Sequence, residues 1–333
     1  MLDFYSREID YVRISVTDRC NLRCVYCMPE QGVDYIPHEQ ILTYEEIIKL
    51  CKCFGKLGIH KIKITGGEPL VRKNLPFLIK QMKEITEINH VSLTTNGILL
   101  KEQMSSLVEA GIDAINISLD TLDDKNFEAL TRFPYKNKVI AGLKEALAYE
   151  EIPVKINCVP MNAYNSTQSI LDMIHLAKHN KLHIRFIQMM PIGPSKHLSC
   201  MTEEEIKDIV TKNCGSLIPY DKTLGNGPGR YYSIKGFHGK IGFISAVSHQ
   251  FCDSCNRVRL TSEGVLKTCL QYGGGILLKD YLRDGMLEED LIELIRAGIY
   301  NKPKRHQFNS AITLEESISN QNLEQKNMFQ IGG

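Results

Sequence analysis

Cys20-Asn21-Leu22-Arg23-Cys24-Val25-Tyr26-Cys27 places three thiols within eight residues, spaced C-x3-C-x2-C. Thiolate sulfur is a soft ligand suited to iron–sulfur clusters, and three on one loop can hold three irons of a cubane. No fourth cysteine lies nearby, so the fourth iron would be open to a small molecule. That opening turns an electron-storage site into a reaction site. The competing reading is a zinc knuckle, which wants a fourth Cys or His close by. His38, eleven residues on, is the nearest candidate.

Outward from this loop the chain alternates strand and helix. Residues 11–16 predict a short strand that feeds the cysteines. Thr43-Tyr44-Glu45-Glu46 is a capping box that opens a helix. Ile47, Ile48, Leu50, Cys51, Phe54 and Leu57 give that helix an apolar stripe. Further strands are predicted at 61–65, 90–94, 114–119, 154–159 and 183–187. Helices are predicted near 75–85, 102–110, 136–149 and 167–178. Six such units imply a parallel sheet with right-handed crossovers. Their chemistry is expected at the C-terminal ends of the strands. The cysteine loop, Gly66-Gly67-Glu68-Pro69, Thr94-Thr95-Asn96-Gly97 and Ser118-Leu119-Asp120 all fall there. The alternation by itself fits an open partial barrel or a doubly wound sheet.

The aromatic Tyr26 before the last cysteine, and the Gly66–Pro69 segment after the second strand, resemble the radical S-adenosylmethionine (SAM) superfamily. In that superfamily the open iron chelates SAM, and an electron cleaves it to methionine and a 5′-deoxyadenosyl radical. The resemblance implies an α/β fold with a partial (β/α)6 barrel.

Composition places bounds on the rest. The chain has 333 residues, 43% hydrophobic and 24% charged, as in ordinary globular proteins. Net charge is +1, so no global field points to nucleic acid or membrane. No secretory segment or membrane span is expected. Eleven cysteines, six of them in two tight groups, fit metal binding in a reducing cytoplasm better than disulfides.

After Met190 the rhythm breaks at Pro191-Ile192-Gly193-Pro194. One more capped helix is predicted at 202–212, a Gly/Pro-rich loop at 224–230, a hairpin at 231–245, and short helices at 276–283 and 288–297. Between them lies a second trio, Cys252, Cys255 and Cys269, spaced C-x2-C-x13-C. It again lacks an evident fourth ligand, although His249 would complete a zinc site.

Two trios, with Arg257-Val258-Arg259 after the second and Gly332-Gly333 at the end, are similar to the GTP 3′,8-cyclase family of molybdenum cofactor biosynthesis. This resemblance spans Arg13 to Gly333. It implies a barrel domain over residues 1–225, with a smaller C-terminal α+β domain over 226–333 closing the open side. It implies two 4Fe-4S clusters. Cys20, Cys24 and Cys27 would hold the SAM cluster, and Cys252, Cys255 and Cys269 the auxiliary one. Tyr26, Gly67, Ser118 and Met190 would contact SAM. Arg13, Lys63, Thr94, Lys155, Arg257, Val258 and Arg259 would contact GTP, and Gly332 and Gly333 would form a tail reaching the site. The implied reaction abstracts the ribose 3′ hydrogen and closes that carbon onto guanine C8. Implied partners are GTP, SAM, an electron donor, a downstream cyclic pyranopterin monophosphate synthase and a second copy of the chain.

Two positions depart from the family. Lys63 stands where arginine is usual, so charge is kept and the bidentate fork is lost. Gln188 stands where an acidic residue is common, and it is assigned no role. Cys51, Cys53, Cys158, Cys200 and Cys214 read as structural.

Two other readings stay open at this level. One is a radical SAM enzyme acting on a peptide. The other is a zinc-stabilised binding module. Metal and sulfide analysis of protein purified without oxygen separates the module from the enzymes. Two cubanes predict about eight irons per chain with matching acid-labile sulfide. About two zinc ions without sulfide would establish the module instead.

Overall fold

The computed structural model describes residues 1–308 and 323–332. Six strands run parallel and in sequence order: β1 (Tyr11–Ser15), β2 (Lys61–Thr65), β3 (His90–Thr95), β4 (Ala114–Ser118), β5 (Val154–Cys158) and β6 (Leu182–Ile187). The connecting helices are α1 (Tyr44–Lys56), α2 (Leu75–Lys83), α3 (Leu100–Glu109), α4 (Asp124–Thr131), α5 (Lys136–Ala148) and α6 (Thr167–His179). An additional helix, α7 (Glu203–Cys214), follows.

Strand alternation explains the two faces. In Lys61-Ile62-Lys63-Ile64-Thr65, Ile62 and Ile64 are fully buried and join one core with Ile47, Leu50 and Phe54 of α1. Each such side chain stabilises the fold by roughly 1.5–3 kcal/mol. Lys63, between them, points to the opposite face and lines an internal cavity with Arg13, Thr94, Asn116 and Lys155. The barrel is therefore apolar outside, against its helices, and polar within.

The expected cap on α1 is present. The Thr43 hydroxyl accepts the Glu46 N–H at 3.2 Å, and the Glu46 carboxylate accepts the Thr43 N–H at 2.8 Å. Helix α4 is a segment the sequence reading passed over. It is short, and only Phe127, Leu130 and Thr131 are buried, too few to show a periodic stripe. Asp123 caps it, accepting the Asn126 N–H at 2.8 Å.

The C-terminal region contributes β7 (Ile218–Tyr220), β8 (Arg230–Ser233), β9 (Ile241–Ile244), β10 (Arg257–Leu260), β11 (Val265–Lys267) and β12 (Ile276–Leu277), with α8 (Leu278–Arg283) and α9 (Glu288–Tyr300). The predicted hairpin is β8 with β9. These strands do not form a sheet of their own. β9 adds in parallel to β6, and β10 adds in parallel to β1, so one twelve-stranded sheet runs β12-β11-β10-β1-β2-β3-β4-β5-β6-β9-β8-β7. The sheet is an open partial barrel. The segment from β9 to β10, which carries Cys252 and Cys255, links the two edges of the six-stranded arc.

Arg7 ties this crossing to the N-terminal arm. Its Nε donates to Asp3 at 2.6 Å. Its two Nη atoms donate to the carbonyls of Cys252 (3.0 Å), Lys304 (2.8 Å), Lys302 (3.2 Å) and Pro303 (2.9 Å). Removing one partner of a buried, charged network strands the others. Arg7→Ala is expected to destabilise the protein by about 3–5 kcal/mol in urea unfolding. A loss below about 1 kcal/mol, the range of an exposed ion pair, would show that the network carries no stability.

Candidate functional site

The first cysteine loop is held from three sides. The Gly67 N–H donates to Thr17 O at 2.7 Å, and the Glu68 N–H donates to Arg19 O at 2.8 Å. A Cβ on Gly67 would stand 2.4 Å from Arg19 O, and one on Gly66 would stand 2.8 Å from Thr17 O. The two glycines thus let the end of β2 lie against the cysteine loop, where any side chain would clash. Glu68 is almost fully buried and accepts Thr95 Oγ1 at 2.7 Å, Asn96 N–H at 2.6 Å and Leu70 N–H at 3.0 Å. Burial pushes its carboxyl up to about 7. Asn96 Nδ2 then donates to Asn21 Oδ1 at 2.7 Å.

The unforeseen helix α4 supplies the second side. The N–H groups of Arg23 and Val25 donate to Thr131 O and Leu130 O, each at 3.0 Å. Arg132, in the left-handed region at φ 63°, donates from Nη1 to Arg23 O at 2.7 Å and Met28 O at 2.9 Å. Asp120, beyond β4, supplies the third side. Its Oδ2 accepts the Tyr26 hydroxyl at 2.9 Å, and its Oδ1 accepts the Val159 N–H at 2.7 Å. Burial raises Asp120 to about 6.

The three thiols lie within each other's electrostatic reach. Burial, then the Cys27, Asp120 and Cys20 charges, raise Cys24; burial and Cys20 raise Cys27 to about 12. Burial and the Glu68 charge raise Cys20 to about 11. Buried, crowded thiols of this kind hold their protons until a metal displaces them. Among the described residues no three His, Cys, Asp or Glu side chains converge on a single ion. Three soft thiols on one loop are the donor set that suits three corners of an iron–sulfur cluster.

The second trio opens on a cavity that is also lined by Arg13, Met190, Arg257 and Arg259. Burial raises the Cys255 thiol, but Lys302, Arg257 and hydrogen bonds from Arg257 outweigh it and bring the thiol down to about 7. Such a thiol gives up its proton readily to a metal. The C-terminal tail joins this cavity to the first trio. The backbone of Phe329 favours the Cys27 thiolate against the effect of burial, and Arg259 Nη1 donates to Gly332 O at 2.8 Å. Gly332 adopts φ 75°, and a Cβ there would sit 2.9 Å from Thr65 Oγ1. The tail thus lies beside Arg259, in the wall of the second trio's cavity. Gly333 lies outside the described residues.

A second cavity is lined by Arg13, Lys63, Thr94, Lys155 and Arg257, and also by Arg185 and Asn116. Strand register sets the row: Arg259 lies beside Arg13, which lies beside Lys63. Arg185 Nη2 donates to Asn116 Oδ1 at 2.5 Å. Burial, then Arg185, lowers Lys155 to about 8. Burial and the charges of Arg185, Arg13, Lys155 and Arg257 lower Lys63 well below its ordinary value. The two cavities share Arg13, Ile187, Ile244 and Arg257 as walls.

Two positions sit otherwise than their neighbours. The Val258 side chain is in the apolar core, on the face opposite Arg257 and Arg259, so only its backbone can meet a ligand. Ser118 is half-buried at the end of β4, in register with Asn157. Arg185 and Asp120 received no role from the sequence. A signal for Arg185 existed, because in Leu182-His183-Ile184-Arg185-Phe186 the polar positions alternate with buried apolar ones. Gln188 has a structural task, its Oε1 accepting the Val247 and Ser248 N–H groups at 2.9 Å each.

Comparison with known proteins agrees with this geometry. Residues 14–191 match the Radical SAM superfamily, and residues 182–308 match Molybdenum Cofactor Synthesis C. A GTP 3′,8-cyclase of Clostridium perfringens is 44% identical over 334 residues, covering 100% of both chains. That of Syntrophomonas wolfei is 43% identical over 336 residues, again with full coverage of both. That of Listeria monocytogenes is 39% identical, covering 99% of this chain and 98% of its own. Among solved structures, Streptococcus suis SuiB bound to precursor peptide SuiA aligns with a TM-score of 0.59 at 16% identity, over 92% of this chain and 69% of that one. At that identity the likeness is one of fold. The chain belongs to the GTP 3′,8-cyclase family of the radical SAM superfamily.

Proposed function

We propose that the protein cyclises GTP to (8S)-3′,8-cyclo-7,8-dihydroguanosine 5′-triphosphate, the first step of molybdenum cofactor biosynthesis, and that the residues above carry it. The observation that carries this reading is the wall that the two cavities share. A cationic chamber and a thiol-lined chamber share Arg13 and Arg257 as walls. A nucleoside triphosphate has that same polarity, an anionic chain at one end and a base at the other.

When bound, the two clusters and SAM supply the electron and the hydrogen-abstracting radical. The chain's own residues bind, orient and shield. Cys20, Cys24 and Cys27 would hold the SAM cluster, with Tyr26, Gly67, Ser118 and Met190 around SAM. Cys252, Cys255 and Cys269 would hold the auxiliary cluster at the base end.

Arg13, Lys63, Lys155, Arg185, Arg257 and Arg259 would take the triphosphate, with Thr94 and the Val258 backbone beside them. Each cation contributes a gross attraction of about 4 kcal/mol at contact distance, before desolvation. Lys63 offers a point charge where a fork is usual, and Arg185 adds a fork nearby. The loop at 225–228 covers the cationic chamber, which excludes water from the reacting centre. Gly332 would line the site beside Arg259. Functionally, residues 1–225 generate the radical, and residues 226–333 hold the auxiliary cluster and close the barrel. The partners that follow are an electron donor, a downstream cyclic pyranopterin monophosphate synthase and a second copy of the chain, in the cytoplasm. Among the described residues no helix is long and apolar enough to cross a membrane.

Anaerobic incubation with GTP, SAM and a strong reductant tests the reading. It expects 5′-deoxyadenosine formed with GTP. Deoxyadenosine formed only with an added peptide would overturn it. Arg185→Ala should weaken GTP binding by about tenfold or more, equivalent to about 1.4 kcal/mol, with iron content unchanged. Unaltered affinity would remove Arg185 from the site.

Proton linkage gives a further expectation. Burial and the neighbouring cations lower Lys155 and Lys63, and an adjacent triphosphate raises them again. Binding therefore takes up protons, and affinity falls as pH rises through about 8. Calorimetry in two buffers of different ionisation enthalpy reads the uptake directly. Equal heats in both, or affinity that grows with pH, would refute it.

A further inference from the structure

Lys267 on β11 and Glu324 in the C-terminal tail form an ion pair in which both side chains are buried. Neither has a part in the assignment above. Glu324 Oε2 has no other partner among the described residues. Lys267 Nζ also donates to Tyr272 O at 2.7 Å and to Gly274 O at 3.2 Å. Two carbonyls and one carboxylate thus surround an ammonium that carries three hydrogens.

A buried pair is weak evidence for net stability, because desolvation offsets the attraction between its charges. What it enforces is which groups meet, since any other pairing strands both charges out of water. The backbone around the pair keeps the same register. The Glu324 N–H donates to Gln271 O at 2.7 Å, and Leu323 bridges to Tyr272 in antiparallel fashion. Glu324 Oε1 accepts the Lys326 N–H at 2.8 Å.

That register reaches the cavity of the second trio. β10 and β11 pair antiparallel with Arg259 opposite Lys267, and opposite residues of such a pair present their side chains to one face. Lys267 takes the tail at Glu324, and Arg259 takes it at Gly332 O. Between these two points Phe329 and Ile331 are buried. The far end fits closely: a Cβ on Gly332 would stand 2.9 Å from Thr65 Oγ1 and 3.1 Å from Ser15 Cβ. A slip of one residue would bring the Ile331 side chain into a gap that admits only glycine.

We propose that Lys267 and Glu324 are positioning residues for the reaction: their ion pair sets the register of the tail and so holds Gly332 at Arg259. The part of this inference that concerns turnover rests on the reading of the protein as a GTP cyclase. Both residues act through Gly332 and Arg259, and neither meets the nucleotide.

The test is hydrogen–deuterium exchange of the anaerobic holoenzyme, read by mass spectrometry over residues 324–332 and over β1–β6. The samples are the wild type, Glu324→Gln and Lys267→Met, with iron content measured on each. A third variant, Lys267→Met with Glu324→Ala, leaves no buried charge behind and serves should a single variant lose its iron. The tail is expected to exchange about tenfold faster or more in each variant, as for a locally opened segment, with β1–β6 unchanged. In 5′-deoxyadenosine formation with GTP, kcat is expected to fall by about tenfold to a hundredfold, as for a misplaced active-site wall. KM for GTP is expected to stay as it was, since the cations of the chamber are untouched.

Unchanged tail exchange in the variants would overturn the inference. Faster exchange that extends through β1–β6 would do so as well, because it marks a structural role. A loosened tail with kcat intact, whether or not KM rises, would remove the link from register to turnover. A wild type that forms no deoxyadenosine with GTP would sink the substrate reading alone, and the exchange comparison would still decide what sets the tail's register.

Discussion

Parallel pairing of β1 with β10 is the constraint on which the rest of the molecule depends. It sets Arg257 beside Tyr11 and Arg259 beside Arg13, and β2 continues the row with Lys63. A one-residue slip would turn Arg257 and Arg259 into the core and Val258 into the chamber. The pairing joins the first strand to one formed late in the chain, so its loop-closure entropy must be met by other contacts. Arg7 supplies some of them. Lys302, also buried, supplies more, donating from Nζ to Arg257 O at 3.0 Å and to Thr268 O. One end of β10 and the residue before Cys269 are thereby clamped together.

The same register concentrates like charge. Arg13, Lys63, Lys155, Arg185 and Arg257 line one chamber, and each raises the cost of charging its neighbours. Guanidinium groups stay protonated under such crowding, whereas the lysines give way. The barrel interior thus carries repulsion that a polyanion relieves, and substrate binding stabilises the fold by mass action. Apolar packing on the outer face, from Ile62, Ile64 and the helices over them, lets the interior remain polar without loss of the core.

Some of this was legible in the chain and some was not. Cysteine spacing is covalent and local, so both trios could be read directly. The alternation of Lys63 with Ile62 and Ile64 likewise marks an inward position. Gly67 was read as a SAM contact; Gly66 and Gly67 also admit the protein's own backbone, at Thr17 and Arg19. Helix α4 escaped notice because it buries only one short side, yet Leu130, Thr131 and Arg132 brace the cysteine loop. Gln188 looked like a departure without consequence. An amide oxygen accepts two N–H groups as a carboxylate would, and it holds the turn that precedes Cys252.

By itself the amino-acid order determined the ligand types, the strand–helix rhythm and which residues of each strand share a face. These follow from spacing and from the periods of strand and helix. Only the tertiary structure decided that the later strands extend both edges of one sheet, and that the second trio shares its cavity with Arg13 of the first strand. It also decided that Gly332 lies against Arg259. Those relations join residues far apart in the chain, and they depend on sheet register and closure, which no local pattern encodes.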